Sequence, residues 1–112
     1  MNAWLVTFQA ERDGVEYEHH LLLQGTDLPL TEAACGLMGE TWWRGERPVS
    51  AEGCYWTYLH GSAWLSTILL LSDAERETLS GLKFLDRWFV TGTPDDPVVQ
   101  DEQGNRWQDF RS

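Results

Sequence analysis

The chain has 112 residues, and 18 aspartates and glutamates against eight lysines and arginines give it a formal net charge of −10. This excess of carboxylates argues against direct binding to nucleic acids or anionic membranes, because both need basic side chains on the protein. It favours a basic protein as partner. The length predicts one domain over residues 1–112, and seven tryptophans can supply a dense core.

Two alternating segments around Asp13-Gly14 predict a first β-hairpin. Residues 4–11 and 15–23 alternate between apolar and polar side chains, and Asp-Gly is the strongest short signal for a two-residue hairpin turn. A two-residue turn fixes the register, so one face of the hairpin is apolar. The other face is predicted to be acidic, with Glu11 directly opposite Glu16 and with Glu18 beside them.

A helix is predicted to follow, with Thr31 as its N-cap. Apolar residues then recur at helical spacing up to Trp42. Neighbouring residues on a helix point to different sides, so Trp42 and Trp43 should not both reach one core. We therefore expect an exposed indole at Trp43, next to Arg44 and the loop of residues 45–53, where it could anchor a partner.

Residues 54–60 and 63–71 predict a second hairpin with Gly61-Ser62 as its turn. The alternation places Trp56 with Tyr58 on one face, and Tyr55 with Trp64 on the other. Both faces are largely apolar or aromatic, which predicts that the hairpin lies centrally in the sheet or has both faces covered.

The C-terminal part begins with a capping box, Ser72 followed by Glu75 three positions later. The helix that it starts is predicted to continue past Leu82 to a point near Asp86. A strand over residues 87–91 and an acidic turn over residues 93–97 follow, and a last hairpin is predicted between residues 98–101 and 106–110.

These elements predict an α+β fold with a mainly antiparallel sheet and two helices on one of its faces. The order is ββα-ββα followed by a C-terminal β segment, and strands that do not alternate singly with helices favour antiparallel pairing. The two cysteines form no disulfide framework, and no leader or membrane span is recognisable, so we expect a cytoplasmic location.

Neither a cofactor nor a metal nor a catalytic residue is predicted. Cys35, Cys54, His60 and the His19-His20 pair have the right chemistry for zinc but lack the close Cys or His spacing of zinc sites. Cys54 and His60 share a face but lie about 20 Å apart on a strand, too far for a nucleophile and its base. Glu11 and Glu16 could form an acid–base pair only in a sheltered cleft. His19, on the apolar face, is expected to be a hydrogen-bonded core residue.

The leading functional hypothesis is a small acidic, non-enzymatic binding protein. It would be an inhibitor or neutraliser of the immunity, antitoxin or anti-defence type that docks on a basic protein surface, including one that binds nucleic acid. The predicted contact residues are Glu11, Asp13, Glu16, Glu18, Trp43, Arg44, Asp95, Asp96, Asp101 and Glu102.

Two alternatives remain open at this point. The chain could be an accessory or regulatory subunit that forms homo-oligomers through the aromatic second hairpin. It could instead be a small enzyme or ligand-binding domain with a pocket between helix and sheet, lined by Trp56, Tyr58 and His60.

Overall fold

The computed structural model describes residues 1–107 and shows a mixed α+β fold. Within these residues the elements are β1 (Asn2–Arg12), β2 (Val15–Gly25), α1 (Leu28–Glu40), β3 (Ser50–Glu52), β4 (Tyr55–Tyr58), β5 (Gly61–Leu70), α2 (Asp73–Ser80), β6 (Asp86–Thr93) and β7 (Asp96–Gln100). The predicted order lacked the short strand β3, which pairs with β4.

All seven strands belong to one sheet, in the order β3-β4-β5-β1-β2-β6-β7. Every neighbouring pair is antiparallel except β2 and β6, which are parallel. The antiparallel majority agrees with the sequence, whereas the parallel pair was not predicted. It arises because α2 lies between β5 and β6 and the chain returns to the far side of the first hairpin.

The first hairpin has the predicted register throughout. Glu11 lies opposite Glu16, and Arg12 lies opposite Val15. Asp13 and Gly14 both have positive φ, at 54° and 83°, as a type I′ turn requires. The Gly14 amide also donates a 2.7 Å hydrogen bond to Oε1 of Glu11.

The second hairpin has a different turn from the predicted one. Tyr55 pairs with Trp64 and Tyr58 pairs with Gly61, so the turn consists of Leu59 and His60. Gly61 instead starts β5, where a Cβ would collide with the carbonyl oxygen of Glu11 on the adjacent strand. The glycine therefore serves close strand packing rather than the turn.

One face of the sheet is covered by α1. Asp27 is its N-cap, because the Asp27 carboxylate accepts a 3.0 Å hydrogen bond from the Leu30 amide. The predicted cap, Thr31, lies inside the helix, buried, with its hydroxyl donating to the Asp27 carbonyl. At Gly39 the helix approaches the sheet so closely that a Cβ would collide with the ring of Trp56.

Trp42 and Trp43 both enter the core beneath α1, which corrects the expectation of an exposed indole at Trp43. Trp42 is fully buried and Trp43 is 6% exposed. The helix ends at Glu40, so the two residues lie beyond it and are not constrained to helical geometry. Tyr58 supports this segment, since its hydroxyl accepts from the Trp42 amide and donates to the Gly39 carbonyl.

The second helix, α2, packs on the opposite face, so the prediction of both helices on one face is wrong. Its capping box forms as predicted, but the helix ends at Ser80. Leu79 packs with the chain that follows against Ala3 and Leu22. These two residues point away from α1, because successive side chains on a strand alternate between faces.

The C-terminal β segment joins the sheet through β6. Val90 pairs with Val99, and the predicted partner segment 106–110 contributes one bridge, between Gln100 and Arg106. Residues 108–110 of that prediction lie outside the described part of the chain. No helix in residues 1–107 is both long and apolar enough to cross a membrane.

Candidate functional site

The candidate site is a depression on the face of the sheet opposite α1, at the end near the first hairpin turn. Two rows of cross-strand neighbours build it. Tyr55, Trp64, Gln9 and Glu18 form one row, and Thr57, Ser62, Glu11 and Glu16 form the next. Neither α2 nor the leucines that follow it extend over this end, which leaves the face open.

We call this depression the acidic groove. Its volume is about 310 Å³, at the small end of the range for ligand pockets. Its lining residues are Gln9, Ala10, Glu11, Glu16, Tyr17, Glu18, Tyr55, Ser62 and Trp64. This lining, all of it within the described residues, contains three glutamates and neither lysine nor arginine.

The acidic groove holds Trp64, the one exposed tryptophan within the described residues 1–107. Trp64 is 43% exposed, whereas each of the other six tryptophans is at most 8% exposed and belongs to the core beneath α1. Its cross-strand neighbour Tyr55 is 45% exposed. Tryptophan and tyrosine are enriched at the energetic centres of protein interfaces, so this pair makes the groove the candidate contact surface.

The second hairpin does lie inside the sheet, as one of its two predicted alternatives requires, whereas coverage of both faces is wrong on the side of Tyr55 and Trp64. The alternation had placed these two residues on a common face. It could not show that this face continues the acidic face of the first hairpin, because that requires the pairing of β1 with β5. Trp64 is accordingly the candidate contact residue that sequence reasoning missed.

Like charges are held together in the acidic groove. Glu11 and Glu16 are directly opposite each other, an arrangement that destabilises a sheet by up to about 1 kcal/mol. The Gly14 amide donates a hydrogen bond to one oxygen of the Glu11 carboxylate. Nε2 of His20 lies 3.6 Å from Oε2 of Glu18. A cationic partner would relieve the repulsion that the fold leaves in place.

Two wider depressions have different chemistry. One, of about 430 Å³, lies between α1 and β7 and includes Arg106. The other, of about 610 Å³, lies along residues 40–51 and includes Arg47. Both combine acidic and basic residues, and neither exposes an aromatic ring, so neither matches the acidic groove as an anchor for a cation.

The predicted contact residues fall into separate places. Glu11, Glu16 and Glu18 line the acidic groove, and Asp13 occupies the adjoining turn. Asp95 and Asp96 lie at the opposite end of the sheet, since β6 runs parallel to β2 and away from that turn.

The remaining acidic candidates are engaged within the chain. Asp101 accepts hydrogen bonds from the amides of Gln103 and Asn105, and so shapes its own turn. Glu102 forms an ion pair with Arg87. Their carboxylates are less available to a partner than those in the groove.

Arg44 and Trp43 also lie apart from the groove. Arg44 is exposed, but the Trp43 indole is covered by the guanidinium of Arg12, whose Cζ lies 4.8 Å from the ring centroid. A nitrogen of the same guanidinium lies 2.8 Å from a Glu46 carboxylate oxygen. Trp43 therefore already stacks against a cation of its own chain.

The predicted pocket between helix and sheet is filled. Trp56 and Tyr58, two of its three proposed lining residues, are each less than 5% exposed and pack in the core, while His60 is exposed at the turn. This arrangement provides no space for a ligand between these two rings and α1.

The thiols and histidines do not converge on one centre. Within the described chain, no three Cys, His, Asp or Glu side chains come together in a way that could hold a metal ion. Burial raises the pKa of the Cys35 thiol to about 12, whereas Cys54 is exposed. His19 is partly exposed at the edge of the core, where Nε2 lies 2.8 Å from an Asp86 carboxylate oxygen and the ring meets Trp42 edge-on.

Comparison with protein-family models, with curated protein sequences and with solved structures finds no match to this chain. The chemistry of the acidic groove is therefore the feature from which a function can be inferred.

Proposed function

We propose that this protein is a small acidic binding protein that inhibits or neutralises a basic protein partner by docking the acidic groove onto it. One observation carries the proposal. The single exposed tryptophan, Trp64, adjoins three glutamates on a sheet face that the helices leave open. An aromatic anchor surrounded by carboxylates is complementary to a surface rich in arginine and lysine.

Inhibition would follow from competition. Carboxylates in the groove would occupy the same basic side chains that the partner uses to bind phosphates, and so would exclude its substrate. The net charge of −10 would accelerate encounter with such a partner at low ionic strength. Immunity proteins, antitoxins and anti-defence proteins are the classes of neutraliser that fit this description.

The first experiment compares two double charge reversals that change the net charge equally. Glu16→Lys with Glu18→Lys alters the groove, whereas Asp95→Lys with Asp96→Lys alters the far end of the sheet. A partner is captured from lysate with the wild-type protein and identified by mass spectrometry, and its affinity for all three proteins is then measured by calorimetry at two salt concentrations.

We expect the groove variant to lose about tenfold or more in affinity and much of the salt dependence. The control variant should change affinity by less than about threefold, because only the long-range field differs. Equal losses in both variants would show that bulk charge, rather than the groove, drives binding.

Light scattering tests the alternative of self-association through the same face. A monomer at micromolar concentration agrees with the proposal. A dimer that dissociates in the Trp64→Ala variant would instead assign the exposed aromatic pair to a homo-oligomer interface.

A further inference from the structure

We propose that the acidic groove receives an arginine side chain of the partner, with the guanidinium stacked on Trp64 and paired to the glutamates. This inference rests on the proposed function and narrows it from a basic surface to one kind of side chain.

The protein contains an internal example of the same arrangement on its other face. There the Arg12 guanidinium lies over the Trp43 ring and pairs with the Glu46 carboxylate, at 4.8 Å and 2.8 Å respectively. The groove offers the indole and the carboxylates of this motif, but no arginine or lysine is among its described lining residues. The partner would therefore supply the missing cation.

The strand register places the groups at suitable distances. Trp64 pairs with Gln9, so Glu11 is its diagonal neighbour on β1, about 7–8 Å away between Cα atoms. Glu18 is on the next strand, opposite Gln9. A guanidinium over the indole would have both carboxylates on its β1 side, with Glu11 on the adjacent strand as the nearer acceptor and Glu18 one strand farther.

The Glu11 carboxylate is held ready for this contact. Its Oε1 accepts the 2.7 Å hydrogen bond from the Gly14 amide, so the side chain is fixed by the type I′ turn before a partner arrives. A fixed acceptor loses less conformational entropy on binding than a free side chain does.

Arginine fits the groove better than lysine for three reasons. Its guanidinium is planar and stacks on an indole, it carries donors for two carboxylates at once, and it gives up its hydration more readily than an ammonium group. A cation–π contact at an exposed ring contributes roughly two- to fivefold in affinity, and we expect arginine to gain more of it than lysine.

The test uses hexa-arginine and hexa-lysine peptides of equal charge and follows the indole N–H signals by NMR at low salt. The Trp64→Phe variant assigns the Trp64 signal, and circular dichroism checks that each variant is folded. We expect hexa-arginine to bind more tightly and to shift the Trp64 signal most.

The matched variants separate stacking from charge. Trp64→Leu should abolish the preference for arginine, because hexa-arginine loses more affinity than hexa-lysine does, and Glu11→Gln should weaken both peptides. Equal binding of both peptides to the wild type would overturn the arginine inference but leave the proposed function intact. No binding of either peptide would overturn the proposed function itself.

Discussion

The two faces of the sheet differ sharply although the same strands supply both. The face under α1 buries six tryptophans in a cluster that, within residues 1–107, contains no charged side chain. The opposite face has a small cluster of leucines at one end and carboxylates with one exposed tryptophan at the other. Because side chains alternate along a strand, the core residues and the proposed contact residues occupy alternate positions of β1 and β2.

Truncation of a core tryptophan should have the largest effect on stability. Trp42 is fully buried, contacts Phe8 at 4.8 Å between ring centroids, and its indole N–H donates to the Tyr17 hydroxyl. We expect Trp42→Ala to lower the free energy of unfolding by about 3–5 kcal/mol. Urea denaturation measures the change.

The matched substitution on the open face is Trp64→Ala, which should cost about 1 kcal/mol or less. Similar losses for both tryptophans would mean that the two faces are not energetically distinct.

The two thiols should differ in reactivity, because Cys35 is buried in the core and Cys54 is exposed. The rise in the pKa of Cys35 from 9.0 to about 12 lowers its thiolate population about a thousandfold at neutral pH, and burial blocks access as well. Cys54 is exposed. A maleimide should therefore label one thiol per folded chain and two in denaturant. Rapid labelling of Cys35 in the folded protein would contradict the packed core beneath α1.

Removal of the α2 N-cap should destabilise the helix that covers part of the sheet face opposite α1. The Ser72 hydroxyl accepts from the Glu75 amide, and α2 buries no residue completely. We expect Ser72→Ala to cost about 1 kcal/mol. In this variant, backbone hydrogen exchange should become faster in α2 and remain unchanged in the first hairpin. Faster exchange throughout the protein would instead show that α2 is part of the main core.

Neutralising one glutamate of the groove should raise stability while it lowers affinity. Glu16→Gln removes the repulsion with Glu11 and should stabilise the fold by about 0.2–1 kcal/mol. Thermal unfolding measures the gain. Glu77→Gln, on the exposed surface of α2, is the control for the change in net charge. It should leave both the stability and the affinity for the partner nearly unchanged. A destabilised Glu16→Gln protein would show that the pair is structural.

The smallest expected effect is a pH dependence confined to α2. The Ser72 backbone N–H holds the pKa of Glu75 below 4.5 by hydrogen bonding, with a further contribution from the Ser72 side chain. A carboxyl with a lowered pKa stabilises the folded state above its unfolded pKa, and this contribution disappears as the pH falls through the folded value. The unfolding midpoint of the wild type should therefore fall relative to that of Glu75→Gln below about pH 4.5. If the unfolding midpoints of the two proteins changed with pH in parallel, the Glu75 carboxylate would not stabilise the folded state.

Local signals in the sequence predicted local structure well. Asp13-Gly14 and the alternation around it fixed the whole register of β1 and β2, and Ser72 with Glu75 located the start of α2. The turn of the second hairpin was misplaced because Gly61 was interpreted as a turn residue. Its small size is needed where β5 approaches β1, a contact that local sequence does not reveal.

The candidate site could be predicted only in part for the same reason. The opposition of Glu11 and Glu16 follows from the hairpin turn alone, whereas the position of Trp64 beside them depends on the pairing of β5 with β1. A bulge in β5 shifts its pairing with β1 between Thr7 and Phe8. Even a correct strand order would therefore not show which face of the sheet each residue of β5 occupies. Trp43 was misassigned because α1 ends before it.

The central position of the first hairpin also constrains the folding pathway. β1 and β2 are joined by a two-residue turn and can pair within microseconds, but their outer edges must wait for β5 and β6 from much farther along the chain. We expect these non-local pairings to limit the folding rate, because the long chain segments between the paired strands must first close into loops. Until they form, the nascent hairpin has two unpaired edges, and the glutamates near its tip would discourage aggregation during that interval.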